Sequence, residues 1–178
     1  MMGGRVFGRD NIPKTGGAII ASNHQSYLDP PFLGALIFRP LHYLARKELF
    51  EANWFFGKLI SSVYAVPLER RKFNSEGLRK TINHLSGGNL FLIFPEGTRT
   101  RDGNIQPFKP GIIMMAMKAG VPIIPTRIKG AFKIWPKTSL LPKRISPITI
   151  TFGKPIKLNP SQSNQETCDE LYSRISKL

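Results

Sequence analysis

Two polar motifs, NHQSYLD at residues 23–29 and FPEGTRT at residues 94–100, each follow an apolar run. The first motif contains His24 and Asp29. A histidine titrates near neutral pH and can take a proton from a hydroxyl. A carboxylate that accepts the Nδ1 proton leaves Nε2 unprotonated and stabilises the imidazolium ion as it forms. We therefore interpret His24 as a candidate general base and Asp29 as the residue that orients it.

The spacing of this pair requires a turn, because five residues along one helix would set the two side chains about 140° apart. The apolar run 18–21 favours a buried strand, and Asp29 followed by two prolines favours the start of a helix with Asp29 as its cap. Strand-to-helix turns at the edge of an α/β sheet commonly hold ligands. From this motif alone, a loop histidine beside a simple helix cap is an equally good interpretation.

The second motif joins a carboxylate, a glycine, a hydroxyl and a guanidinium in a turn after the apolar run 90–94. Arg99 offers a planar fork of donors that matches phosphate oxygens. The backbone amides of the turn and the Thr98 hydroxyl could surround the same group. The motif thus predicts an anion site. A surface ion pair between Glu96 and Arg99, which would contribute little stability, is the alternative.

Together, the NHxxxxD and FPEGTR motifs resemble the signature blocks of the lysophosphatidic acid acyltransferase family, the glycerolipid acyltransferases of the PlsC type. Further blocks follow in that family's order: ARKEL at 45–49, VPLERR at 66–71, FKPG at 108–111, VPIIPT at 121–126 and ITITFGKPI at 148–156. The resemblance extends from about Gly4 to Ile156. It implies a glycerol-3-phosphate acyltransferase-like fold, in which helices pack on the faces of one mixed sheet.

The resemblance also implies an activity. An acyl chain would pass from acyl-ACP or acyl-CoA to the sn-2 hydroxyl of 1-acyl-glycerol-3-phosphate, giving phosphatidic acid for phospholipid synthesis. His24 would deprotonate the hydroxyl and Asp29 would hold the working tautomer, without an acyl-enzyme. Another lysolipid acceptor, or a basic membrane-binding module without catalysis, is the alternative.

Several residues of the acceptor site are implied in the same way. Arg99 would bind the phosphate, and Arg70 matches a second phosphate contact. Glu69 replaces the usual aspartate beside Arg70, so Arg71 could share its role. Arg46 stands where the family commonly has lysine and would lie near the developing oxyanion or the phosphate. The residues that would shape the turn around the phosphate are Glu96, Gly97 and Thr98.

The charge balance predicts an anionic partner. The formal net charge is +15, from 26 basic and 11 acidic residues, and ten basic residues but no acidic one lie between Asp102 and Glu166. We predict an anionic membrane surface, with a solvated basic face as the alternative. Nucleic acid is not predicted, because zinc-finger spacing and RNP-type aromatic motifs are missing. The apolar residues that suit a lipid interface are Phe132, Ile134, Trp135, Leu140 and Leu141, with a second candidate helix at 48–62.

The remaining composition indicates where the protein resides and whether it needs a metal or another cofactor. No apolar run approaches the roughly 20 residues that span a bilayer, and no secretory signal is visible. We therefore expect a peripheral protein on the cytoplasmic side of the cell membrane. The lone Cys168 fits a reducing compartment and is a poor nucleophile candidate. The three histidines lack metal-ligand spacing, so neither a metal nor another cofactor is predicted.

The length suits one domain, residues 1–178. Strands are predicted at 18–22, 41–45, 63–68, 90–94, 121–128 and 146–153, and helices at 30–38, 48–62, 110–119 and from Asn74 or Ser75 to Gly87-Gly88. The basic, proline-rich segment before the last strand is predicted to be a loop, and residues 162–178 form an amphipathic tail. Such alternation is typical of an α/β sheet covered by helices.

Overall fold

The computed structural model describes residues 4–46, 65–68 and 75–178. Its strands are β1 (Arg5–Phe7), β2 (Ala18–Ser22), β3 (Leu41–Arg46), β4 (Ala65–Leu68), β5 (Leu90–Ile93), β6 (Ile123–Lys129) and β7 (Thr149–Phe152). Its helices are α1 (Asp29–Leu36), α2 (Ser75–Ser86), α3 (Gly111–Ala119), α4 (Ala131–Ile134) and α5 (Asn164–Lys177), with a 3-10 turn at Arg9–Asn11. The predicted helix at 48–62 lies outside the described residues.

The described strands form one sheet in the order β1-β7-β6-β2-β5-β3-β4. β2 is parallel to both β5 and β6, and β3 is parallel to β4 and β5. β7 runs antiparallel to β6 and parallel to β1. The predicted mixed α/β sheet is confirmed. The end at which β2, β3, β5 and β6 finish is called the carboxyl edge below, and the opposite end the amino edge.

The central strand β2 is buried on both faces, which explains its uninterrupted apolar sequence. Ala18 and Ile20 belong to the core on the face that also contains Leu33 of α1. Ile19 and Ala21 belong to the opposite core, which is completed by side chains of α2, α3 and α5. The polar motif after β2 therefore begins from a strand that is fixed on both sides.

The start of α1 differs from the prediction. Leu28 is the N-cap, and Asp29 is the first helical residue. The Asp29 carboxylate turns back toward the preceding loop, where the Gln25 and Ser26 amides donate to Oδ2 at 2.6 Å and 2.7 Å. Asp29 thus stabilises the turn between β2 and α1 as well as the beginning of the helix.

The segment after β6 also differs, because the predicted loop contains the one-turn helix α4. Gly130 enters this helix with φ 95°, and a Cβ there would collide with the Pro147 carbonyl oxygen. α4 buries Ala131 and Ile134. Ile134 is therefore a core residue, and its prediction as a lipid contact is wrong.

The short strand β1 is absent from the sequence prediction. Its three residues pair with Thr149–Thr151 of β7 at the margin of the sheet, and three residues carry too little alternation to reveal a strand. Among the described helices, none has the length and apolar character needed to cross a bilayer.

Candidate active site

The turn between β2 and α1 places His24 against Asp29. Their Nδ1 and Oδ2 atoms lie 2.8 Å apart, and the Asp29 side chain is fully buried while that of His24 is 18% exposed. Oδ2 also accepts from two backbone amides and so acts as an acceptor, which places the proton on Nδ1 and leaves the lone pair on Nε2. Nε2 is the nitrogen that a general base requires.

The first residue of the motif fastens this turn to the sheet. The buried Asn23 side chain donates to the Ile128 carbonyl oxygen at 2.9 Å and accepts from the Ile128 amide at 2.7 Å. It thereby continues the pairing of β2 with β6 by one side-chain step. The chain leaves the strand in a fixed direction, toward His24.

The second motif holds the His24 ring and main chain from the β5 side. The Phe94 ring stacks on the imidazole with centroids 3.7 Å apart and an interplanar angle of 10°. The His24 amide donates to Glu96 Oε1 at 2.7 Å, and its carbonyl oxygen accepts from the Thr100 amide at 2.9 Å. The two motifs, 65 residues apart along the chain, are joined at the carboxyl edge.

Glu96 is a buried brace between loops and is only 4% exposed. Its second oxygen, Oε2, accepts from the Gln106 amide at 2.8 Å. Burial raises the pKa of the Glu96 carboxyl, against hydrogen bonds from the Gln106 and His24 amides that lower it. Both oxygens thus serve backbone amides, which argues against a surface ion pair with Arg99.

Arg99 lies over an aromatic ring of the first motif. Its Cζ atom is 3.3 Å from the centroid of the Tyr27 ring, a stacking arrangement that suits guanidinium. Its Nη1 is buried and, within the described part of the chain, has no hydrogen-bond partner. A buried donor without a partner is costly. The geometry therefore favours a ligand with acceptor oxygens at this position.

An open cleft of about 410 Å³ adjoins Arg99. Lys137 Nζ donates to Thr98 Oγ1 at 2.8 Å across it. Hydrogen bonds from Asn104 and Thr100 lower the pKa of Asp102 to about 2, so this carboxylate stays charged beside three cations. The cleft is positive and suits an anionic group. Its lining residues are Thr98, Arg99, Arg101, Asp102, Gln106 and Lys137.

Comparison with known proteins assigns the family. A family model described as acyltransferase matches residues 4–129. The chain belongs to the acyltransferase family. The family membership that the two motifs predict is thereby confirmed.

Named relatives of this acyltransferase-family chain carry one activity in their names. A 1-acyl-sn-glycerol-3-phosphate acyltransferase of Bacillus subtilis is 32% identical over 129 residues, which are 72% of this chain and 63% of that protein. A chloroplastic 1-acyl-sn-glycerol-3-phosphate acyltransferase of Brassica napus is 30% identical over 174 residues, 96% of this chain and 49% of that protein. The chain thus spans about half to two thirds of the length of these curated relatives.

A solved structure supports the fold. The 1-acyl-sn-glycerophosphate acyltransferase PlsC of Thermotoga maritima is similar with a TM-score of 0.80 and 28% identity, over 98% of this chain and 70% of that one. The mixed sheet and its helices are therefore an acyltransferase-family architecture.

The structure of this acyltransferase-family chain brings most of the predicted site residues together. His24 does not line the cleft, but its main chain is hydrogen-bonded on both sides of Thr98 and Arg99. Gly97 turns the chain with φ 70°, and its amide donates to the Phe94 carbonyl oxygen. That amide is used within the turn, which corrects the expectation that it faces an anion.

Of the three other predicted arginines, only Arg46 falls within the described residues. Arg46 is the last residue of β3, which places its backbone at the carboxyl edge. Its role stays a prediction. Arg70 and Arg71 lie outside the described residues.

Several residues of the site are absent from the sequence prediction. Tyr27 and Phe94 are the aromatic members of the two motifs. Each shares its motif with a histidine or an arginine, which was a usable signal. Gln106 and Lys137 offered none. Lys137 lies 39 residues from Thr98 along the chain, and only the folded sheet edge brings the two together.

Proposed function

We propose that the protein transfers an acyl chain from a thioester donor to the sn-2 hydroxyl of 1-acyl-glycerol-3-phosphate, giving phosphatidic acid. One observation carries the proposal: an oriented histidine is joined through its main chain to a loop whose arginine has a buried donor without a partner among the described residues. The first feature suits removal of a hydroxyl proton, and the second suits the acceptor's phosphate. The names of the Bacillus and Brassica relatives support this acceptor.

In the proposed reaction, His24 Nε2 takes the proton from the acceptor hydroxyl as its oxygen attacks the thioester carbonyl carbon. Asp29 stays ionised and stabilises the imidazolium ion through Nδ1. The tetrahedral intermediate then expels the thiolate, which receives the proton from His24. The carbonyl re-forms as the new ester, and His24 returns to its starting state.

The proposed acceptor site is built around Arg99, with Thr98 beside it. The uncommitted Nη1 of Arg99 and the position of its guanidinium over the Tyr27 ring support a bidentate contact with phosphate oxygens. Arg70 is proposed as a second phosphate contact, and Arg46 as a cation near the oxyanion or the phosphate. Glu96 and Gly97 maintain the turn.

We further propose peripheral association with an anionic membrane on the cytoplasmic side of the cell. The net charge of +15 supports an anionic surface. Acyl-ACP and acyl-CoA both remain candidate donors, since an acidic carrier protein and the nucleotide phosphates of CoA are each attracted by basic residues. Neither a metal nor a cofactor is needed for the proposed steps.

Product analysis tests the proposal. The purified protein would be incubated with acyl-ACP or acyl-CoA and with lysophosphatidic acid, a lysophosphatidylcholine or a monoacylglycerol, and the products weighed by mass spectrometry. We expect phosphatidic acid from at least one donor and a strong preference for the phosphomonoester.

His24→Ala should abolish this product while leaving vesicle binding intact. His84→Ala, which removes an imidazole from α2 near the amino edge, is the matched control and should retain transfer. Acylation of a different lysolipid would replace the acceptor, and no transfer to any acceptor by a folded, vesicle-bound protein would support a binding module instead.

A further inference from the structure

A short loop between α4 and β7 projects apolar and basic side chains into solvent. We call residues 140–145, LLPKRI, the apolar-basic loop. Its three large apolar side chains lie outside the core and are largely exposed: Leu140 94%, Leu141 73% and Ile145 76%. Lys143 and Arg144 between them are also exposed. Apolar tips with adjacent cationic heads are the composition that suits a lipid interface.

The base of the apolar-basic loop is held by hydrogen bonds to the end of α4. Trp135 Nε1 donates to the Ser139 carbonyl oxygen at 3.1 Å, and Ser139 Oγ donates to that of Leu141 at 2.7 Å. The Lys143 amide donates to the Ile134 carbonyl oxygen at 2.7 Å. These contacts fix the shape of the loop while its side chains remain in solvent.

Residues at the base of the apolar-basic loop also contact the proposed acceptor site. The Trp135 ring lies 5.1 Å from the Tyr27 ring, on which Arg99 is stacked. Lys137, between α4 and the loop, lines the cleft and donates to Thr98. The loop and the cleft are therefore on the same edge of the protein.

We propose that the apolar-basic loop inserts into an anionic lipid bilayer and holds the cleft against the lipid surface. This inference rests on the proposed function, because a lysolipid acceptor resides in such a surface. Charge complementarity supports a bilayer, since no acidic residue lies between Asp102 and Glu166. An acidic protein partner is less suitable, because a stable interface buries about 800 Å² on each side and a six-residue loop offers less.

Sedimentation with vesicles of phosphatidylcholine, with and without phosphatidylglycerol, tests the insertion. Replacing Leu140, Leu141 and Ile145 together by serine should weaken binding to the anionic vesicles by about tenfold or more, at low and at high salt. Lys143→Gln with Arg144→Gln should weaken binding mainly at low salt. These side chains are exposed, so the melting temperature should not change.

Phe38→Ser is the matched control. Phe38 is 87% exposed, but it precedes Arg39, which is bonded to loops at the amino edge. Its replacement should leave vesicle binding unchanged. As a direct readout, Leu141→Cys carrying an environment-sensitive dye should be quenched by brominated lipids, and Phe38→Cys with the same dye should not. Equal vesicle binding by the serine variant and the unmodified protein would overturn the proposal, as would equal quenching at both positions.

Activity with a dispersed acceptor separates this inference from the proposed function. With a short-chain, water-soluble lysophosphatidic acid and no vesicles, the serine variant should match the unmodified protein. With acceptor embedded in vesicles, it should be slower. If the unmodified protein acylates neither acceptor, the proposed function fails while the binding result stands. Loss of transfer from acyl carrier protein alone, with vesicle binding unchanged, would assign the loop to the carrier and overturn insertion.

Discussion

Two arginines at opposite edges of the sheet have the same guanidinium donors but differ in their hydrogen-bond partners. At the amino edge, Arg39 donates from Nη1 to the Pro13 carbonyl oxygen at 2.6 Å and from Nη2 to those of Gly16 and Gly88 at 2.9 Å and 2.7 Å. At the carboxyl edge, the buried Nη1 of Arg99 has no partner within the described residues. A guanidinium committed to main-chain oxygens stabilises the fold, whereas one with a free donor is available to a ligand.

The two edges of the sheet differ in the same way as these two arginines. Arg39 fastens the loops that precede β2 and β5, so its effect should appear in stability. The carboxyl edge keeps the oriented His24 and the uncommitted Arg99, so changes there should appear in catalysis. Substitutions at the two edges should therefore separate activity from stability.

After the complete loss expected for His24→Ala, the largest effect should be the fall in acyl transfer on replacing Asp29 by asparagine. The amide has only one acceptor oxygen and can also donate to Nδ1, which would favour the wrong tautomer of His24. We expect kcat to fall by about 10²- to 10⁴-fold. Steady-state kinetics with lysophosphatidic acid would measure it. Nearly normal kcat in a folded variant would contradict the proposed role of Asp29.

The next effect concerns Arg99→Ala. Loss of a charge-assisted contact with phosphate should lower kcat/KM by roughly 10- to 100-fold. Stability should change little, because removal of a buried donor without a partner offsets loss of the stack on Tyr27. The loss should be much smaller with a monoacylglycerol, which has no phosphate. An equal loss with both acceptors would contradict phosphate binding by Arg99.

Arg39→Ala should lower stability and leave activity unchanged, in contrast to Arg99→Ala. Removing its hydrogen bonds to three carbonyl oxygens should lower the free energy of unfolding by about 2 kcal/mol. Urea denaturation would measure this change, and kcat/KM per folded molecule should stay the same below the transition. If Arg39→Ala instead lost activity without losing stability, the division between the two edges would be wrong.

The smallest expected effect is the pH dependence contributed by Glu96. Burial raises the pKa of this carboxyl, against hydrogen bonds from the Gln106 and His24 amides. The folded protein thus binds the proton more tightly than the unfolded chain. The resulting stability is fully present below the unfolded pKa and is lost as pH rises through the folded value.

Glu96→Gln removes the titration of this carboxyl. Any other change that the substitution makes to the free energy of unfolding is the same at every pH. The free energy of unfolding of the unmodified protein should therefore fall relative to that of the variant as pH rises from about 4, the ordinary range of a glutamate. Denaturation at a series of pH values would measure the difference. A constant difference, or one that moves in favour of the unmodified protein, would argue against a raised pKa.

The sequence was informative where strand pattern and motif coincide. β2 and β5 are apolar runs followed at once by polar residues, and parallel pairing brings their ends together. His24 and Glu96 could therefore be expected at one edge. The same pattern does not report contacts between loops, and the hydrogen bond from the Gln106 amide to Glu96 is set by how residues 101–110 fold back.

Residue type alone also does not determine local conformation. Asp29 before two prolines has the composition of a helix cap, yet its carboxylate serves the preceding turn and His24. Arg39 and Arg99 cannot be told apart by residue type. Their roles depend on whether carbonyl oxygens lie within reach, which is a property of the folded loops and not of the sequence around each arginine.

The His24 main chain is held at both of its polar atoms, because its amide donates to Glu96 and its carbonyl oxygen accepts from the Thr100 amide. These two hydrogen bonds fix the distance between the imidazole and the loop that contains Arg99. An acceptor would react only where its hydroxyl and phosphate are spaced to match. The distance between the His24 imidazole and the Arg99 guanidinium would then determine which hydroxyl is acylated. A lysolipid with its hydroxyl one carbon farther from the phosphate would be a poor substrate.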